Sequence, residues 1–342
     1  MTILITGGAG FIGSNFVLDW FKEKDERLVN LDLLTYAGII SNLEKVKNNP
    51  NHIFVKGDIN DKNLVANLLD QYKPRAIINF AAESHVDRSI INPNEFIRTN
   101  IVGTFNLLKC AVEYIESKNE KNNFLFLHIS TDEVFGELDF EDAPFNEESN
   151  YAPSSPYSAS KASSDHLVRA FNVTYKLPTI ITNCSNNYGP YQSTEKFIPL
   201  VINKAINLED IPIYGDGLNV RDWLYVEDHA RAIDIVFHKG KIGDTYNIGG
   251  FNEWKNIDLV NVLIDVTDKL LNRKKNSSKN LITYVDDRLG HDLRYAIDST
   301  KIKNELGWQP SLQFEEGITL TVEWYLKNMD WLDRIKNKSY LK

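Results

Sequence analysis

Seven residues near the N-terminus, Gly7-Gly8-Ala9-Gly10-Phe11-Ile12-Gly13, constrain this chain more than any other stretch. They follow a short β-branched run, Thr2 to Thr6, and precede an amphipathic segment, Ser14 to Lys24. A buried strand that turns on glycines into a helix opens a doubly wound parallel sheet. Gly7 can make the tight turn, Gly10 lets backbone approach a pyrophosphate, and Gly13 allows close packing of helix on sheet, while the helix N-terminus faces the anion. The spacing is GxxGxxG, not GxGxxG. A second strand, Leu28 to Leu31, ends in Asp32, about 20 residues beyond the last glycine, where a carboxylate can accept hydrogen bonds from an adenosine ribose. An acid there repels a 2′-phosphate, which favours NAD over NADP.

Further strands end in small or polar residues. Ile53 to Val55 runs into Gly57-Asp58-Ile59, and Ala76 to Phe80 into Ala81-Ala82-Glu83-Ser84-His85. Ligands of doubly wound sheets bind beyond the carboxyl ends of the strands, which places Asp58 by an adenine and Ala81 to Ser84 by the rest of the dinucleotide. Glu95 to Glu116 reads as one long amphipathic helix with an apolar stripe. Phe124 to Ile129 is a strand that delivers Ser130-Thr131-Asp132-Glu133 to the same edge, with His128 as a packed strand histidine. The acidic stretch Glu137 to Tyr151 reads as a flexible loop over the site. Ser155-Pro156 starts a helix that carries Tyr157 and Lys161 one turn apart, on one face.

After the strand Thr179 to Thr182, the residues Asn186 to Pro190 read as a turn and the regular alternation stops. The expected architecture is therefore α/β: a Rossmann domain over residues 1–185, joined by later segments at about 220–250, and a smaller mixed α/β substrate lobe over 186–342. A chain of 342 residues is long enough for both. The lobe carries Lys196, Arg221, a helix from Glu227 to His238, Asn256 at the head of the helix Ile257 to Leu271, and a polar basic linker from Asn272 to Asn280 that reads as solvated. Arg221 and Arg288, both placed in loops, are the cations assigned to a diphosphate. The formal charge of −9 argues against nucleic acid as a partner. Cys110 and Cys184 read as core thiols without metal or disulfide spacing, and Met1 leads directly into the first strand, so a cytoplasmic protein without a membrane segment is expected.

A nicotinamide cofactor implies hydride transfer. Alcohol oxidation needs a base, and tyrosine, with a pKa near 10, is a poor one unless a neighbouring cation stabilises the phenolate. Lys161 and the nicotinamide ring are expected to lower the Tyr157 pKa in this way. A simple dehydrogenase needs little more, yet Asp132 and Glu133 add an acid and a base at the same strand end. The set suggests oxidation, elimination of water and return of the hydride.

These residues, together with Leu34 to Gly38, Ala81 to Ser89, Thr131 to Val134, Tyr157 to Lys161, Cys184 to Tyr191 and Arg221-Asp222-Trp223, resemble the dTDP-glucose 4,6-dehydratase family of extended short-chain dehydrogenases/reductases over nearly the whole chain. The GxxGxxG and YxxxK motifs mark only the superfamily; Thr131-Asp132-Glu133 with the Asn186-Asn187 and Arg221 segments is far more specific. The resemblance implies that Tyr157 takes the C4 hydroxyl proton as NAD takes the hydride, with Thr131 near O4. Glu133 then removes the C5 proton, Asp132 protonates the departing O6, and the hydride returns to C6. NAD stays bound and is regenerated. Cofactor contacts implied are Gly7, Gly10, Phe11, Ile12, Gly13, Asp32, Leu33, Leu34, Thr35, Asp58, Ile59, Phe80, Ala81, Ala82, Ser84, Thr99, Tyr157, Lys161 and Asn187. The nucleotide sugar is assigned Ser84, Thr131, Asn186, Lys196, Phe197, Pro212, Ile213, Tyr214, Arg221, Asn256, Asp287, Arg288, Leu289, Gly290 and His291. Leu289 and Leu293 stand where the family often has Pro and Arg, which bears on diphosphate positioning, and Phe135 replaces the commoner Tyr.

The resemblance also implies deoxysugar supply, such as rhamnose for a cell-surface polysaccharide, and a homodimer through the helices Glu95 to Glu116 and Tyr157 to Tyr175. No metal is expected. Rival readings are a UDP-glucose dehydratase, a sugar-nucleotide epimerase or decarboxylase, and a non-catalytic NAD sensor or scaffold. Asp132-Glu133 speaks against an epimerase, and retention of Tyr157, Lys161 and both carboxylates speaks against a sensor.

Overall fold

A computed structural model describes residues 1–118, 124–287 and 290–336. Strand β1 (Thr2–Thr6) is buried throughout, and helix α1 (Phe11–Glu23) starts earlier than the sequence pattern suggested, directly on Gly10. Gly7 turns the chain between them with φ of +73°, and a Cβ there would lie 2.6 Å from the Ala81 amide nitrogen. Only glycine meets both demands. Strands β2 (Arg27–Asp32) and β3 (His52–Lys56), helix α2 (Lys62–Tyr72) and strand β4 (Ala76–Asn79) follow.

The expected helix at Glu95 to Glu116 is assembled from pieces. After α3 (Val86–Ile91), α4 (Pro93–Phe96) runs into a π-helical segment, Ile97–Gly103, and then α5 (Thr104–Lys118). The irregular segment turns Asn100 inward and leaves Ile97 and Val102 half-exposed. Strand β5 (Leu125–Thr131), helix α6 (Pro156–Tyr175) and strand β6 (Thr179–Cys184) complete the first half. The loop between β5 and α6 is tied down. Leu138 bridges to Arg294, Phe145 to Ile297, and Glu147 Oε1 accepts from the Asn247 amide, so the acidic segment expected to be flexible is braced against the second half of the chain.

Residues Asn186 to Tyr188, expected as a turn, form β7 (Asn186–Tyr188). Then come α7 (Phe197–Asn207), β8 (Ile211–Tyr214), β9 (Val220–Tyr225), α8 (Val226–Lys239) and β10 (Thr245–Ile248). The main sheet has the order β10-β6-β5-β4-β1-β2-β3, and every pairing in it is parallel. The chain winds from β1 outward to β3, then returns to the other side of β1 at β4. That reversal opens the crevice in which such sheets bind ligands. Helix α8 lies on the same face as α1, where Trp20, Phe16 and Val17 join Ile233, Val236 and Phe237 in one core.

Strand β11 (Glu253–Lys255), helix α9 (Asn256–Leu270), β12 (Ile282–Val285), β13 (Arg294–Tyr295), α10 (Thr300–Leu306), α11 (Phe314–Lys327) and α12 (Met329–Lys336) close the chain. Here β9 pairs with β11, β13 and β7, and β8 pairs with β12. A separate core of Val201, Ile202, Leu259, Leu263, Ile318 and Trp331 holds α7, α9, α11 and α12 together. The basic linker is only partly a solvated loop: the Arg273 guanidinium donates to the Ala205 and Ile206 carbonyls at 2.6 and 2.8 Å, closing the C-terminal end of α7.

Candidate active site

A cavity of about 450 Å³ runs along the carboxyl edge of the main sheet and on between the two cores. One end is the glycine turn. Helix α1 has no side-chain cap, so its first amides point at the cavity with the helix dipole behind them. A Cβ on Gly13 would stand 2.3 Å from the Gly7 carbonyl oxygen, which keeps helix and turn in contact. Asp32, at the end of β2, is buried and accepts from the Ala9 amide at 2.9 Å and the Leu34 amide at 2.8 Å. Each carboxylate oxygen still has a lone pair for a ribose hydroxyl. Turn, bare helix end and buried acid fit a dinucleotide. Asp58 lines the next stretch, held by Arg98 Nη2 at 2.7 Å and by Asn60.

At the cavity's centre, β5 ends in Thr131, and a short helical turn carries Asp132 and Glu133. Helix α6 lies alongside, started by a reciprocal Ser155/Ser158 capping box with Pro156 in its first turn. Its placement is reinforced from α3, where Ser89 Oγ accepts from the Tyr157 amide at 3.2 Å. Thr131 Oγ1 donates to Asp132 Oδ1 at 3.2 Å and accepts from the Glu133 amide at 3.3 Å. Its side chain is also hydrogen-bonded to Tyr157. Asp132 is 2% exposed, and its Oδ2 has no hydrogen-bond partner among the described residues. Burial first, then the Glu133 and Asp222 carboxylates, push the Asp132 carboxyl well above the usual range. That setting favours the protonated form of the acid.

Tyr157 departs from the sequence expectation. Burial and the Glu133 charge raise its phenol well above the ordinary value, and the Thr131 hydroxyl is the group that favours phenolate. Lys161, expected to do this, directs its ammonium to the Ile129 carbonyl at 2.8 Å and lies 3.5 Å from His128 Nε2. Burial lowers the Lys161 pKa. His128 is a packed histidine, hydrogen-bonded between Asn79 and Ser164, with Asp165 3.4 Å away. Burial and Lys161 push it down to about 4.

The remaining assigned residues fall in three groups. Phe11, Ile12, Leu33, Thr35, Ile59, Phe80, Ala81, Ala82, Ser84, Thr99 and Asn187 line the cavity, as do Asn186, Lys196, Phe197, Ile213, Tyr214, Asn256, Gly290 and His291. Leu34, Pro212 and Asp287 are not among the lining residues. Leu34, at φ of +57°, packs its side chain against the main core; Pro212 lies on β8 between inward-facing Ile211 and Ile213; and Asp287 accepts from His291 Nδ1 at 2.6 Å. Arg288 and Leu289 lie outside the described residues. Arg221, expected in a loop, is on β9. Its guanidinium donates to the Val220, Leu293 and Asp292 carbonyls and lies 4.4 Å from the Tyr295 ring centre. Leu293 thus serves this contact through its carbonyl, whatever its side chain.

Several residues that received no role from the sequence brace the cavity lining from outside it. Asn100 donates from Nδ2 to the Glu83 carbonyl and to Ser160 Oγ, while its Oδ1 accepts from the Glu83 amide, joining the loop after β4 to α6. Only the π-helical segment aims it there. Arg88 lies 3.7 Å from the Tyr36 ring centre and holds Glu195 at 2.7 Å, tying the two sides of the cavity together. Asn187 Oδ1 pairs with His229 Nδ1 at 2.8 Å.

A glycine-turn sheet whose crevice meets a Tyr/Lys helix is the arrangement of the short-chain dehydrogenases/reductases. Residues 4–321 match the GDP-mannose 4,6 dehydratase family. The dTDP-glucose 4,6-dehydratase of Xanthomonas campestris pv. campestris (strain B100) is 54% identical over 99% of this chain and 97% of its own, and that of Salmonella typhimurium is 54% identical with the same coverage. Among solved structures, DesIV, a dTDP-glucose 4,6-dehydratase from Streptomyces venezuelae with NAD bound, superposes with a TM-score of 0.89 at 42% identity, covering 98% of this chain and all of its own. A UDP-glucose 4-epimerase from Thermotoga maritima gives 0.84 at 29% identity, covering 96% of this chain and 100% of that one. The chain belongs to the dTDP-glucose 4,6-dehydratase family.

The buried histidines carry a pH dependence. Burial pushes His229 down to about 3, against about 6.5 in an unfolded chain. Between those values the unfolded state binds one more proton, so the stability held by this group is whole above pH ~6.5 and is lost as pH falls toward 3. His229→Asn is expected to flatten the stability–pH curve by about 1.4 kcal/mol per pH unit between roughly pH 6 and pH 4, measured from urea midpoints. An unchanged slope would show that His229 titrates normally in the fold.

Proposed function

We propose that this protein is an NAD-dependent hydro-lyase that converts dTDP-glucose to dTDP-4-keto-6-deoxyglucose, the dinucleotide lying along Gly7 to Gly13, Asp32 and Asp58 and the sugar reaching Thr131, Glu133 and Tyr157. The observation that carries it is Asp132: a buried carboxyl whose surroundings favour its protonated form, set beside a hydride-transfer centre, serves elimination of hydroxide and is superfluous to a plain dehydrogenase or epimerase. NAD held by Gly7 to Gly13 and Asp32 would supply the hydride acceptor for C4 and the hydride donor for C6. The chain's own groups manage the protons. Tyr157 receives the O4 proton while Thr131 holds that oxygen. The resulting ketone acidifies C5, whose proton passes to Glu133. Asp132 protonates O6, which leaves as water. Lys196, Arg221 and the segment around Gly290 and His291 line the part of the cavity assigned to the nucleotide diphosphate, and residues 186–342 act as the substrate lobe apart from the segments that rejoin the main sheet.

We assign the protein to the cytoplasm, where nucleotide sugars are made, with a downstream deoxysugar such as rhamnose for a surface polysaccharide. No helix among the described residues is long and apolar enough to cross a membrane. Ile97, Val102, Phe105, Val173 and Tyr175 leave large apolar side chains exposed on the helices around α5 and α6, a face suited to a second copy of the chain. Light scattering is expected to give a dimer; a monomer at working concentration rejects that pairing.

Incubation with dTDP-glucose is expected to yield the keto sugar, read as its alkali-induced absorbance, with UDP-glucose turned over more slowly. Absence of product from both nucleotides, with NAD supplied, would overturn the function. Glu133→Gln is expected to form reduced cofactor on substrate and to lose at least about a hundredfold in product formation, followed by absorbance of the reduced nicotinamide. Wild-type turnover by that variant would remove Glu133 from its role as C5 base.

A further inference from the structure

Between the acid pair at the end of β5 and Tyr157 on α6 lies the loop that the second half of the chain braces at Leu138, Phe145 and Glu147. A further brace enters at the head of α6 itself. Ser154 Oγ donates to Asp292 Oδ2 at 2.6 Å, across 138 residues of sequence. Ser154 is exposed and is not among the cavity's lining residues, whereas Asp292 is buried and is one of them. No step of the reaction uses either side chain.

On one side, Asp292 is built into the cation end of the cavity. Its carbonyl accepts from Arg221 Nη2 at 2.8 Å and from Asn219 Nδ2 at 3.2 Å. Its carboxylate Oδ2 also accepts from the Tyr295 hydroxyl, and the Arg221 guanidinium lies 4.4 Å from the centre of the Tyr295 ring. Gly290 and His291 precede it on the cavity wall. A carboxylate oxygen has two lone pairs, and Ser154 and Tyr295 fill those of Oδ2. On the other side, the residues from Ser154 to Tyr157 have little freedom. Ser155 is locked by its capping box with Ser158, and Pro156 fixes its own φ in the first turn. A shift of Ser154 is therefore passed to Tyr157 and not absorbed on the way.

We propose that Asp292 is a positioning residue that couples the diphosphate end of the cavity to Tyr157: a nucleotide diphosphate seated by Arg221 and His291 fixes the segment that bears Asp292, and the Ser154 hydroxyl carries that placement into the first turn of α6. The inference rests on the dehydratase reading above. A diphosphate that draws the Arg221 guanidinium draws with it the carbonyl it holds and the ring it lies on, and both of these belong to the grip on Asp292. Contacts far from the reacting carbon thereby act on hydride transfer, where an ångström of misplacement costs up to about a hundredfold in rate. Binding energy from the part of the substrate that does not react is directed to orientation at the part that does.

Amide hydrogen exchange on the NAD-loaded protein, read by mass spectrometry, tests the coupling without turnover. Saturating dTDP is expected to slow exchange in a peptide covering residues 155–161 at least about fivefold in wild type, and to have no such effect in Ser154→Ala. Ser154→Thr, which keeps the hydroxyl, should restore the protection. Asp292→Leu should lose it as Ser154→Ala does, and combining the two should change nothing further. In turnover, Ser154→Ala should reduce nicotinamide on dTDP-glucose about tenfold more slowly than wild type with KM within about twofold, and the isotope effect of C4-deuterated substrate on kcat should rise as hydride transfer becomes limiting. Exchange that speeds in Ser154→Ala by one factor with and without dTDP would overturn the coupling and leave Ser154 as a structural tether, as would nicotinamide reduction at the wild-type rate. Failure of the wild-type protein to make any keto sugar, with the dTDP protection intact, would instead overturn the reaction and leave the coupling standing.

Discussion

The structure depends on one close approach, that of Gly7 to the backbone of Ala81. Strands β1 and β4 flank the point where the sheet reverses its winding, and the turn after β1 must cross the end of β4 without a side chain between them. A methyl group there would meet main-chain atoms at 2.6 to 2.8 Å, which rigid backbone cannot yield. That contact aims the α1 amides into the crevice and, through the parallel register of β4 and β5, sets where Thr131 emerges. The chemistry at β5 is thus positioned by a glycine four strand-ends away in the chain.

Much of this was legible in the sequence because the decisive signals are local. A β-branched run before three glycines, an acid at the end of the next strand, and a Ser-Pro start before Tyr157 and Lys161 each follow from short-range rules. Placement at one sheet edge follows from the parallel topology. Long-range consequences were not legible. Nothing in Ile97 to Gly103 announces a π-helical segment, so Asn100 could not be separated from its neighbours. Arg221 reads as a loop residue beside Asp222 and Trp223, yet β9 pairs on both edges and buries it. The acidic loop after Phe135 reads as mobile because its partners, Arg294 and Asn247, are 100 or more residues away.

The electrostatics of the centre could not be read from composition either. A lysine one helical turn from a tyrosine suggests a stabilised phenolate, but the ammonium is committed to the Ile129 carbonyl. The centre is dominated by burial and by the Glu133 carboxylate, which opposes ionisation of both Asp132 and Tyr157. Thr131 orders this cluster, its hydroxyl donating to Asp132 Oδ1 and accepting from the Glu133 amide.

The last strand of the main sheet has a bearing on how the chain is made. β10 covers the outer edge of β6, but the ribosome releases it only after β7, α7, β8, β9 and α8. Until then Thr179 to Cys184, buried throughout in the finished protein, presents an open row of amide and carbonyl groups. Unsealed edges of this kind recruit foreign strands. The nascent protein is therefore most exposed to aggregation in the interval between synthesis of β6 and docking of β10, and an N-terminal fragment ending near residue 185 would remain in that state permanently.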